Sequence, residues 1–187
     1  MTGFERLAIP DVVEIVPPRF QDSRGYFSEV YKRTALEAQG FAIDWVQDNQ
    51  SFTELPATVR GLHFQVPPLA QAKLVRVLRG AIFDVAVDLR RNSSSFGQWV
   101  GRELSAERWN QMLIPIGFAH GFMTLTADTE VFYKVSAPWS AEHERAIAWN
   151  DPDLAIAWPD IGFEPTLSDK DLMAPRFASC LDAFEEG

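Results

Sequence analysis

Proline and glycine cut this chain into short apolar runs, and that punctuation restricts it to a fold of short strands. Twelve Pro and eleven Gly are spread through 187 residues. Between them lie "DVVEIVPP", "FGQWVGREL", "QMLIPIGFAHGFMTL", "EVFYKVSAPW" and "RAIAWNDPDLAIAW", each read as strand bounded by turn signals. "FQDSRGYFSEVY" reads as a polar turn followed by a strand, and "AKLVRVLRGAIFDVAVDLR" as two strands folded at Arg79-Gly80. The clearest short helix is "TALEAQG", where Thr34 and Glu37 have capping-box spacing and Gly40 is placed to end it. No repeat, linker or low-complexity segment divides the chain, so residues 1–187 are read as one domain. Many short antiparallel strands in a domain of this size predict a mainly β fold, a jelly roll or related barrel, with a few short helices.

Composition narrows the partners. A hydrophobic fraction of 47% is ample for a core. A net charge of −9 with scattered Lys and Arg argues against a nucleic-acid or anionic-membrane surface. An anionic ligand would need cations gathered locally in a pocket. Cys180 is the only cysteine, which rules out an internal disulfide and predicts a reduced, cytoplasmic setting. The stretch "MTGFERLAIPDVVEIVPP" reads as neither signal peptide nor membrane span.

Strand parity assigns faces. In "AIFDVAVDL", Phe83, Val85, Val87 and Leu89 share one face, read as the inward one, and Asp84 and Asp88 share the other. Lys73 lies on the face of Val75 and Val77. Tyr133 lies on the face of Val131 and Val135, with Lys134 opposite. A lysine and a tyrosine therefore line an apolar interior, where each needs a partner. Tyr133 also fits a core tyrosine with a satisfied hydroxyl.

One stretch stands out: "RGLHFQVPPLAQAK", Arg60 to Lys73, sets one of only three histidines between two cations. Regular parity puts Arg60 opposite His63, and a bulge at Gly61 would bring them to one pocket. His63 and His120 both sit in strand-like contexts, whereas His143, in "SAEHERA", is expected at the surface. A metal centre is a weak reading: Gln65 stands where a second histidine would follow His63, and two isolated histidines make a poor ligand set. The other reading is acid–base chemistry without metal. A histidine is a base suited to neutral pH, a carboxylate fixes its tautomer, a lysine stabilises a developing oxyanion, and a tyrosine returns a proton from the far side. That set suits epimerisation next to a ketone, although a satisfied core histidine explains His63 alone equally well. The candidate carboxylate is Asp171 in "LSDKDLMAP". Ser168 and Asp171 also have capping-box spacing, and both roles are compatible.

Taken together, "RGLHFQVPPLAQAKLVRVLRGAIFDVAVDLRRNSSSFGQW", "IPIGFAHGFMTL", "VFYKVSAPW", "WNDPDLAIAWP" and "LSDKD", with "QDSRGYFSEVY" and "VQDNQS" before them, resemble the dTDP-4-dehydrorhamnose 3,5-epimerase family over roughly residues 5 to 175. The resemblance implies a metal-independent cupin-type jelly roll, with no cofactor, that forms a homodimer. It implies inversion of C3 and C5 of dTDP-4-dehydro-6-deoxy-D-glucose to give dTDP-4-dehydro-L-rhamnose. It implies His63 as base, Asp171 as its carboxylate partner, Tyr133 as proton donor and Lys73 beside the C4 oxygen. His120 matches another substrate contact, and Arg24, Glu29, Gln47, Asn49, Arg60, Glu144 and Lys170 match nucleotide and diphosphate positions. Arg24 and Glu29 are expected to reach the partner subunit's site through exchanged N-terminal strands. Where the family often stacks a tyrosine on thymine, this chain has Trp139, which stacks at least as well but also fits ordinary strand-edge packing. A single-site epimerase, a non-catalytic nucleotide-sugar binder and a metal-dependent oxygenase are the competing readings.

Overall fold

The computed structural model describes residues 2–181 and 183–184. In chain order the elements are β1 (Gly3–Arg6), β2 (Val13–Val16), β3 (Phe20–Asp22), β4 (Gly25–Phe27), α1 (Arg33–Glu37), β5 (Gln47–Thr53), β6 (Val59–Gln65) and β7 (Lys73–Arg79). There follow β8 (Ala81–Asp88), β9 (Trp99–Ser105), β10 (Gln111–Ile114), β11 (Phe118–Thr124), β12 (Thr129–Val135), β13 (Glu144–Ala146) and α2 (Asp169–Leu172). Two antiparallel sheets face each other, one ordered β1-β2-β10-β7-β12-β5 and the other β13-β6-β11-β8-β9. This is the predicted jelly roll. Among the described residues no helix is long and apolar enough to cross a membrane.

The break at Gly80 falls where the sequence puts it, but it makes no hairpin. β7 joins one sheet and β8 the other, so the chain crosses the sandwich there. Val75, Val77, Ile82, Ala86, Leu104 and Val131 fill the space between the sheets. A second apolar layer lies outside the β8 sheet, where Leu62, Val85, Val87 and Leu89 pack under Trp158 and Phe177 of the C-terminal segment. A third sits outside the other sheet, where Leu36 of α1 covers Ile15, Leu74 and Leu113.

The second layer corrects the parity of β8. Val85, Val87 and Leu89 face the C-terminal cover, while Ile82 and Ala86 face the barrel interior together with Asp84. Both faces of this sheet are buried, so apolar alternation alone cannot tell the inside from the outside.

Other expectations shift locally. α1 begins at Arg33 with Lys32 as N-cap and no side-chain cap, so Thr34 lies inside the helix and the capping box does not form. Its end is as read: Gly40, at φ +90°, lets the Phe41 N–H reach the Leu36 carbonyl and its own N–H reach that of Glu37. The polar turn after Phe20 closes the short β3–β4 hairpin, which ends at Phe27. "RAIAWNDPDLAIAW" is strand only at its start, as β13. The Asp151 carboxylate accepts from the N–H groups of Asp153, Leu154 and Phe177 and holds the rest as a turn.

Candidate active site

The bulge anticipated at Gly61 is present. His63 pairs with His120 and Arg60 with Phe122 across β6 and β11, so β6 carries one residue more than its partner between these pairs. Leu62 points into the outer layer, and Arg60 and His63 both line the interior cleft. Gly61 has φ +126°, and a Cβ there would lie 2.5 Å from Gly121 Cα and 2.8 Å from the His120 carbonyl oxygen. Only glycine permits that close approach of two backbones.

Two cavities, of about 400 and 330 Å³, share His63, Lys73 and Tyr133 and form one cleft between the sheets. His63 Nε2 lies 2.5 Å from Asp171 Oδ1. Asp171 is buried and doubly employed: Ser168 Oγ donates to its Oδ2 at 3.0 Å, while the Asp171 N–H donates to Ser168 Oγ. The helix-capping and histidine-pairing readings of Asp171 therefore hold together. Burial pushes its carboxyl up, but the His63 hydrogen bond and charge, the Ser168 hydroxyl and the Gly61 N–H outweigh burial and hold it below the usual carboxylate range. An ionised Asp171 accepts from the facing His63 nitrogen and fixes the orientation of the ring in the cleft.

Lys73 enters from the opposite sheet and is only 7% exposed. Its ammonium donates to the His63 carbonyl at 3.3 Å. Burial lowers its pKa to about 8, against the pull of Asp84 and Glu144. Tyr133, on β12 of the same sheet, has its phenol pushed up by burial, which the charge of Arg60 partly offsets, so it remains a proton carrier. His120 Nε2 sits 2.6 Å from Asp84 Oδ1. Burial lowers the His120 pKa against the attraction of Asp84, and Lys73 adds to the lowering.

Asp84 is the residue that sequence reasoning missed. It is wholly buried, and its Oδ2 has no hydrogen-bond partner among the described residues. Its signal was there as an acid interrupting an apolar strand, hidden by the inverted choice of face.

The remaining candidates sort by place. Arg60 lines the cleft, with its Nε donating to Thr53 Oγ1 at 3.2 Å. Lys170 and Glu144 form a 2.7 Å ion pair, each lining one lobe. Gln47, Asn49 and Trp139 line the second lobe, and Trp139 is 59% exposed. Arg24 and Glu29 do not line the cleft within this chain; Arg24 pairs with Asp22 at 2.6 Å and Glu29 with Lys32 at 3.2 Å. His143 stands apart, its Nδ1 2.9 Å from Ser140 Oγ. Among the described residues no group of three His, Cys, Asp or Glu side chains is arranged to hold a metal ion.

Chemically, the cleft offers a carboxylate-held imidazole on one wall, a phenol on the facing wall and a buried ammonium beside the phenol. Known proteins are similar to this chain in sequence and in fold. The family described as dTDP-4-dehydrorhamnose 3,5-epimerase matches residues 6–179. An enzyme of that name from Pseudomonas aeruginosa is 52% identical over 174 residues, covering 92% of this chain and 94% of its own. One from Sinorhizobium fredii is 49% identical over 182 residues, covering 97% and 93%. The crystal structure of the Bacillus anthracis enzyme of that name, with TDP and PPi bound, superposes with a TM-score of 0.91 at 46% identity, covering 95% of this chain and 100% of that one. The chain belongs to the dTDP-4-dehydrorhamnose 3,5-epimerase family.

Proposed function

We propose that this chain inverts C3 and C5 of dTDP-4-dehydro-6-deoxy-D-glucose, giving dTDP-4-dehydro-L-rhamnose. The observation that carries the reading is the placement of base and acid on facing sheets: His63 on β6 and Tyr133 on β12 line one cleft. A sugar ring between them meets a base on one face and an acid on the other, which is what inversion requires. Both C3–H and C5–H lie next to the C4 ketone. His63 takes the proton, and the C–H electron pair moves onto O4 as an enolate. Lys73 offers its charge to that oxygen, and Tyr133 returns a proton to the opposite face. Only protons move, so no cofactor is called for.

The nucleotide reading rests on position. Arg60 and Lys170 supply cations for the diphosphate in an otherwise acidic chain, Gln47, Asn49, Glu144 and His120 supply polar contacts, and Trp139 supplies a stacking face. Arg24 and Glu29 take part through a homodimer, in which the β3–β4 hairpin of one protomer reaches the partner's cleft. Its exposed Phe20, Tyr26 and Phe27 are consistent with such a contact. The lone Cys180 fits a reduced, cytoplasmic setting.

The test is incubation with substrate in D2O, followed by NMR of the product. Deuterium at both C3 and C5 is expected. Incorporation at one carbon only assigns a single-site epimerase, and incorporation at neither defeats the reading. Full activity after exhaustive chelation is expected, and its loss would revive metal chemistry.

A further inference from the structure

Gln65 closes β6 on the same face as His63, where it is buried. A buried amide must find partners for two N–H groups and an oxygen. Every partner Gln65 finds among the described residues is backbone. Its Nε2 donates to the Leu69 carbonyl at 2.6 Å and to the Pro138 carbonyl at 3.1 Å. Its Oε1 accepts from the Ser140 N–H at 2.7 Å. The amide thus grips the chain on both sides of Trp139 and ties that segment to the loop after β6.

Two further glutamines complete the restraint. Gln71 donates to the Ala137 carbonyl at 2.8 Å, and the Trp139 N–H donates to Gln47 Oε1 at 3.1 Å. Four successive residues, 137 to 140, are therefore each pinned by a glutamine side chain. The indole between them is nevertheless more than half exposed. A pinned backbone carrying a free ring is a preorganised platform: the ordering is complete before a ligand arrives.

We propose that Gln65 is a positioning residue for nucleotide recognition, fixing the backbone on both sides of Trp139 so that the indole stands as a rigid wall of the nucleotide lobe. This rests on the stacking role assigned to Trp139. Gln65 touches no reacting atom; it acts through Trp139.

The experiment is a double-mutant cycle read by calorimetric binding of thymidine diphosphate, with steady-state kinetics beside it. Gln65→Leu is expected to weaken binding and raise KM roughly tenfold while kcat changes less than about twofold. Exchange of the Ser140 amide proton should accelerate. In a Trp139→Ala background the same change should have no further effect on affinity. If Gln65→Leu does not fold, Gln65→Glu serves, since it keeps the acceptor for Ser140 and turns a carboxylate oxygen toward two carbonyls. Additive losses in the cycle, or a fall in kcat with affinity intact, would overturn the proposal and leave the stacking assignment standing. Unchanged affinity in Trp139→Ala alone would remove that assignment and the proposal with it.

Discussion

Lys73 brings a titration into the range of ordinary assays. Its charged form is present below about pH 8 and is lost as pH rises through that value, because burial disfavours the ammonium. If that charge stabilises the enolate, kcat/KM should fall on the alkaline side of about pH 8, and a flat profile to pH 9.5 would count against it. Asp84 is one of two carboxylates whose attraction opposes the loss of charge, with Glu144 the other. His63, His120, Tyr133 and Asp171 complete the ionisable groups beside it in the cleft, with Arg60 and Lys170. Asp84→Asn should therefore move the alkaline limb to lower pH; a limb that stays put would separate Asp84 from Lys73. Tyr133→Phe gives a sharper dissection. Without the phenol, His63 can still remove a proton and return one to the same face. Deuterium should then enter the sugar while the epimerised product drops by about 10²-fold or more. Loss of exchange together with product would mean that the tyrosine also serves the first step.

At the scale of elements, β6 is the strand whose irregularity builds the site. Gly61→Ala places a methyl against Gly121 and the His120 carbonyl at a φ that L side chains rarely adopt. The change should cost on the order of 2–4 kcal/mol of stability, seen as a large drop in melting temperature, and should abolish activity in whatever remains folded. A folded, active Gly61→Ala enzyme would show that the bulge is dispensable. Part of the site was legible in the chain: the glycine between a cation and a histidine on β6 allowed for the bulge, and on β7 the alternation Lys73, Val75, Val77 faced the lysine inward. Other elements were not. On β8 both faces are apolar because the C-terminal segment covers the outer one, and that cover comes from residues more than sixty positions away. Local alternation cannot report a partner so distant, so Asp84 was turned outward and its bond to His120 went unseen. The capping box in α1 failed for a local reason, since the helix began two residues early, with Lys32 rather than Thr34 as N-cap. The family resemblance implied roles that parity could not, including those proposed for Trp139 and Lys170.

At the scale of the whole molecule, the question is whether one chain makes one site. Arg24 and Glu29 are held by their own neighbours, away from the cleft. If Arg24 serves the partner's site, Arg24→Ala and His63→Ala proteins should complement each other. A mixed dimer holds one cleft with an intact histidine and an intact visiting arginine, so equal mixing should recover about a quarter of wild-type activity at low substrate. No recovery, with subunit exchange verified, would place Arg24 outside the site. The facing walls of the sandwich carry a further consequence. If His63 is the base and Tyr133 the acid, proton traffic through the cleft runs one way, into the β6 wall and out of the β12 wall. Each inversion leaves one wall a proton richer and the other a proton poorer. Two inversions per sugar demand that this circuit be closed twice, and with no direct link between base and acid among the described residues the return path would be solvent. On that mechanism the partial exposure of His63 belongs to the cycle, and a cleft sealed tightly enough to exclude water would stop after its first inversion.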